Sequence, residues 1–108
     1  MSADEVRLVL VTAPDAETAG RIARALVEER LVACVNVVPG VRSVYRWQGK
    51  LEEDAEQLLV AKTRADRCPA LAARVEALHP YELPEVLVLP VSGGSQRYLD
   101  WVLQESSE

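Results

Sequence analysis

One histidine occurs in the chain, His79, and it stands three residues before Glu82 in the run His79-Pro80-Tyr81-Glu82-Leu83-Pro84. An imidazole and a carboxylate on a proline-stiffened segment have the chemistry to bind a borderline divalent cation. They supply two ligands where a tight zinc site uses three or four, so copies of the chain would have to pool ligands or water would have to complete the shell. The commoner role of a lone histidine at a helix end is a C-cap interaction with the helix dipole, and that reading stands beside the metal one. Lys62 ends the apolar run Leu58-Leu59-Val60-Ala61. Its ammonium either snorkels to the surface or points into a pocket and binds an anion. Trp47 and Tyr45 flank a turn and can wall such a pocket, although aromatic rings so placed more often pack against a partner subunit.

Other nucleophiles give less. Cys34 lies inside the apolar run Leu31 to Val38 and reads as a small buried hydrophobe. Cys68 precedes Pro69 at a helix start, where free amides can lower a thiol pKa, but a plain helix-start residue is the simpler reading. General acid–base work would rest on one histidine without an identifiable helper, so an enzyme is not expected. Gly93-Gly94 is an isolated turn pair, and neither a Walker loop nor a dinucleotide fingerprint is present.

The elements that must position these residues are legible. Val6 to Thr12 is a β-branched and aliphatic run and predicts a strand. Ala19, Ile22, Ala23, Leu26 and Val27 recur at helical spacing, predicting a helix over Asp15 to Arg30 with Asp15 as its N-cap. Leu31 to Trp47 predicts a long strand interrupted by a bulge or kink at Pro39-Gly40, which places it at a sheet edge. Gln48-Gly49 predicts a hairpin turn into an antiparallel strand whose acidic outer end, Glu52 to Glu56, is expected to stay unburied while Leu58 to Thr63 enters the core. A second helix is expected over Pro69 to His79, a strand over Pro84 to Val91, and a terminal helix capped by Ser95, with residues 105–108 frayed.

The 108 residues predict one domain, residues 1–108. A net charge of −5 without a Lys/Arg cluster argues against nucleic acid. No apolar run approaches the ~20 residues of a membrane span, so no membrane partner is expected. The acidic start leads straight into a strand pattern, and two cysteines lack a paired spacing. Both features predict a cytoplasmic protein with reduced thiols.

Strand, helix and strand occur twice in corresponding order, the signature of an α+β, ferredoxin-like βαββαβ sheet with a long central hairpin and an extra C-terminal helix. Right-handed crossovers put both main helices on one face, and the other face needs a cover from the terminal helix or a neighbouring subunit. A long edge strand carrying Val41, Val44, Tyr45 and Trp47 predicts oligomerisation.

Leu31-Val32-Ala33-Cys34-Val35-Asn36-Val37-Val38-Pro39-Gly40, Tyr45-Arg46-Trp47-Gln48-Gly49-Lys50, Ala61-Lys62-Thr63 and His79-Pro80-Tyr81-Glu82-Leu83-Pro84-Glu85 together resemble the CutA family of divalent-cation-tolerance proteins. Thr12-Ala13-Pro14 and Tyr98-Leu99-Asp100-Trp101 agree, so the resemblance runs in order along nearly the whole chain. It implies a ferredoxin-like subunit in a compact homotrimer similar to the PII signalling proteins. It also implies a role in tolerance to copper and other divalent metals, with a cleft between subunits as the ligand site. Carried over by position, His79 is the metal candidate, and Lys62, Trp47, Tyr81 and Glu82 are its neighbours in or near the cleft. The implied cofactor is a divalent cation, copper or zinc, not required for folding. Val11 and Leu78 stand where some relatives carry a cysteine and a second histidine, which removes ligands that copper prefers and implies weak or shared binding. A non-metal small-ligand sensor, or a structural trimer using the same cleft, is the alternative.

Overall fold

The computed structural model describes residues 5–108. Val6–Ala13 forms strand β1, in which Val9, Val11 and Ala13 are buried on one side while Leu8, Leu10 and Thr12 are half-covered on the other. That alternation is what a strand with unequally covered faces requires. Helix α1 follows as Ala16–Glu28, capped by Asp15, whose Oδ1 accepts from the Thr18 amide at 2.7 Å. The helix ends two residues short of Arg30 because Arg30 turns left-handed, φ 58°. The amides of Leu31 and Arg30 then reach back to the carbonyls of Leu26 and Val27, each at 3.0 Å, closing a Schellman motif without glycine.

Strands β2 (Cys34–Trp47) and β3 (Lys50–Arg64) form a long hairpin that gives the molecule its 45 Å dimension against 25 and 23 Å. The register slips between Val38 and Val41, as the Pro39-Gly40 pair predicts, and Gly40 adopts φ 80° there. The turn is of type I′, with positive φ at both Gln48 and Gly49, matching the right-handed twist of the flanking strands. After a 3₁₀ turn at Ala65–Arg67 come helix α2 (Cys68–Leu78), strand β4 (Leu87–Pro90) and helix α3 (Gln96–Glu105). The sheet order is β2-β3-β1-β4 with every neighbouring pair antiparallel, so β2 lies at an edge as expected.

Ile22 and Leu26 of α1 and Leu71 and Val75 of α2 pack on Val9, Val11, Leu59 and Ala61, putting both helices on one face. Leu99, Val102 and Leu103 of α3 gather with Val6, whose position three before Val9 turns it to the opposite face. Helix α3 thus covers one end of the second face. Leu87 and Leu89 at the far edge, and Val38 on β2, remain between 38 and 55% exposed.

Several expectations are corrected. Strand β4 begins at Leu87, not Pro84, because the ladder on β1 stops at Leu10 and the carbonyl of Thr12, further along that strand, is taken by His79. Glu56 is 8% exposed rather than solvated, since the Tyr81 hydroxyl donates to its carboxylate. Ser95 occupies the N-cap position of α3, but its hydroxyl makes no capping bond. The terminal residues are tied down instead of frayed: Ser106 is fully buried and bonds Val102 O, and Arg30 donates to the carbonyls of Ser107 and Gln104.

Candidate functional site

A groove of about 770 Å³ opens where the outer half of the hairpin meets the segment after α2. The contiguous run Ser43 to Trp47 of β2 lines it, and alternation turns Ser43, Tyr45 and Trp47, with Glu56 of β3 and Thr12 of β1, to one face of the sheet there. Pro80, Tyr81, Glu82, Leu83 and Glu85 form its other wall. Pro80 ends α2 and Pro84 keeps the chain extended, so this wall is built from residues denied both helix and ladder.

Of the residues singled out from the sequence, Trp47, Tyr81 and Glu82 meet at the groove. His79 lies behind it, 7% exposed, as the C-cap residue of α2. Its Nε2 sits 2.7 Å from the Thr12 carbonyl and must donate, while Nδ1 accepts the Tyr81 amide at 3.1 Å, so both ring nitrogens are engaged. The tilted Tyr81 ring packs on the imidazole at a centroid separation of 4.6 Å. Lys62 is elsewhere: its ammonium donates to Asn36 Oδ1 on the neighbouring strand and lies 3.9 Å from Cys34 Sγ. Cys68 sits at the start of α2, where burial pushes its thiol up despite the helix amides.

The groove holds its charge unevenly. The Tyr81 hydroxyl donates to Glu56 Oε2 at 2.8 Å, and burial followed by that bond pushes the phenol well above its usual range. Tyr45 donates to Asp54, which raises its phenol to about 12. Burial, reinforced by the charge of Glu56, raises the Glu85 carboxyl. Among the described residues, no three His, Cys, Asp or Glu side chains converge to hold a metal ion. Tyr45, read from the sequence as a pocket wall beside Trp47, lines the groove, whereas Glu56 and Glu85 were given no role by the motif reading. The period-two pattern of β3 does put Glu56 on the face of Leu58 and Val60, but its partner Tyr81 is 25 residues away and is joined to it only by folding.

The class so defined is an α+β subunit with a four-stranded antiparallel sheet, an open hairpin edge and an acidic, aromatic groove beside it. A model of the CutA1 divalent ion tolerance protein family matches residues 7–105. The divalent-cation tolerance protein CutA of Thermus thermophilus is 54% identical over 99 residues, covering 92% of this chain and 96% of that protein. The chloroplastic protein CutA 1 of Oryza sativa is 46% identical over 94% of this chain, which spans only 57% of that longer protein. The crystal structure of CutA from Xylella fastidiosa superposes with a TM-score of 0.93 at 47% identity, covering 95% of this chain and 99% of that one. The chain belongs to the CutA1 divalent ion tolerance family. No helix of the described residues is long and apolar enough to cross a membrane.

Proposed function

We propose that the chain acts in divalent-cation tolerance as a non-catalytic homotrimer of single-domain, ferredoxin-like subunits in a PII-like arrangement. The observation that carries this reading is the match along residues 7–105 to a family defined by divalent ion tolerance. The strand order β2-β3-β1-β4, with both main helices on one face, supports the ferredoxin-like topology. Assembly is supported by apolar side chains left open along both sheet edges, Val44 at 56% and Leu87 at 55% exposure among them. Gel filtration with light scattering is expected to give the mass of three chains, and a stable single subunit at micromolar dilution would overturn the assembly.

Metal binding is proposed as weak or shared between subunits, because a cation reaching His79 has to displace the Tyr81 amide from Nδ1. Calorimetric titration with copper and zinc, repeated on His79→Ala, tests this. Equal binding by both proteins removes His79 as a ligand. Lys62, bonded to Asn36 outside the groove, joins the site only in a cleft built from two subunits. The proposed compartment is a reducing cytoplasm, supported by two unpaired cysteines.

A second reading, a small-ligand sensor, is favoured by the meeting of Trp47, Tyr81 and Glu82 around one groove of ligand size. Its test is a thermal-shift screen of small charged molecules, with Trp47→Leu as the control.

A further inference from the structure

We infer that the groove is a site for an organic cation, a guanidinium or alkylammonium head group flanked by Tyr45, Trp47 and Tyr81 and neutralised by Glu56 and Glu85. This rests on the small-ligand reading of the groove and assigns the chemical class that reading leaves open. Three carboxylates, Glu56, Glu82 and Glu85, line the groove against one cation, Arg46, so an anionic ligand meets net repulsion. Glu56 is 8% exposed, and one of its oxygens is taken by the Tyr81 hydroxyl. Among the described residues no buried side-chain oxygen lacks a partner, so the other Glu56 oxygen keeps its contact with solvent through the groove it lines.

The electrostatic situation is that of a site short of positive charge. Glu56 and Glu85 line one groove and Glu85 feels the charge of Glu56, so a cation bound beside the two carboxylates offsets their repulsion. A bare metal ion is the poorer occupant, because it needs converging ligands and none of the carboxylates converge in threes. A delocalised organic cation needs flanking rather than chelation: aromatic faces attract it, and a carboxylate pairs with it in the plane. The groove volume of about 770 Å³ accommodates such a group with its alkyl chain. The head group has two possible sources, a free small molecule or an arginine of a second copy of the chain.

Calorimetry with n-butylguanidinium and tetramethylammonium, set against neutral n-butylurea and anionic butyrate, reads the class directly. Both cations are expected to bind saturably, with the neutral and anionic probes about tenfold weaker or worse. Glu85→Gln, an isosteric change at a half-buried position, and Trp47→Leu are each expected to weaken the cations roughly three- to tenfold. Equal binding of butylurea, or butylguanidinium binding unchanged in Glu85→Gln, overturns the cation class. Saturable binding of butyrate alone overturns it too, while leaving a small-ligand groove. If no probe binds but Glu56→Gln and Glu85→Gln, folded by circular dichroism, lower the oligomer mass in light scattering, the cation is the neighbouring copy's arginine and the class stands. If no probe binds and the mass is unchanged, both the class and the small-ligand reading fall.

Discussion

The imidazole Nε2 of His79 donates to the main-chain carbonyl of Thr12 across 2.7 Å, a contact between residues 67 apart in the chain. With Nδ1 accepting the Tyr81 amide, this ring ties the end of α2 to the end of β1 and sets where the groove wall begins. A buried side chain satisfied at both nitrogens is first of all a structural part.

His79→Ala is therefore expected to destabilise the protein by about 2 to 4 kcal/mol, the combined effect of two orphaned main-chain groups and a cavity. Urea denaturation at fixed protein concentration measures it. A loss below about 0.5 kcal/mol would show that the ring does not brace this corner.

All three tyrosines hold their protons above the ordinary range: Tyr45 through Asp54, Tyr81 through burial and Glu56, and Tyr98 through burial and the neighbouring Cys34. Their folded-state values are raised, so the stability they contribute is complete below the ordinary phenol value of 10.0 and is lost as pH climbs toward the folded values. The tyrosinate absorbance should appear later in the folded protein than in the denatured chain. Tyr45→Phe and Tyr81→Phe should each flatten the alkaline loss of stability. At neutral pH Tyr81→Phe also strips Glu56 of its donor, at a cost of about 1 to 3 kcal/mol.

Arg30 offers a test in which two substitutions must differ. Both Arg30→Ala and Arg30→Gly lose the guanidinium bonds to Ser107 O and Gln104 O. Only alanine keeps a Cβ at φ 58°. The glycine variant should therefore be the more stable by about 0.5 to 1 kcal/mol in thermal or urea unfolding. The opposite order would mean that the backbone at residue 30 is not held left-handed.

The hairpin turn can be improved. A type I′ turn asks for positive φ at both central positions, and Gln48 is a less willing occupant than asparagine. Gln48→Asn should raise the melting temperature by a degree or more, and Gly49→Ala should lower stability by about 1 to 2 kcal/mol. An unchanged melting point for Gly49→Ala would contradict the turn type.

Three local devices in this chain are legible in the sequence. Asp15 caps α1 because a short acid meets free amides, Pro39-Gly40 interrupts β2, and Gln48-Gly49 reverses the chain, each fixed by residues adjacent in sequence. The spacing of apolar residues likewise separated strands from helices, and the Pro39-Gly40 interruption marked β2 as an edge. Folding decided what distance in sequence conceals. Glu56 became a buried acid because Tyr81 arrives from beyond α2, and β4 shortened because His79 claims the Thr12 carbonyl. Lys62 left the company of Trp47 for Asn36, and the tail was anchored by Arg30. Hydrogen bonds to a particular distant atom depend on where whole elements dock, and composition and periodicity, which record only how each segment divides its apolar from its polar side, carry no trace of that choice.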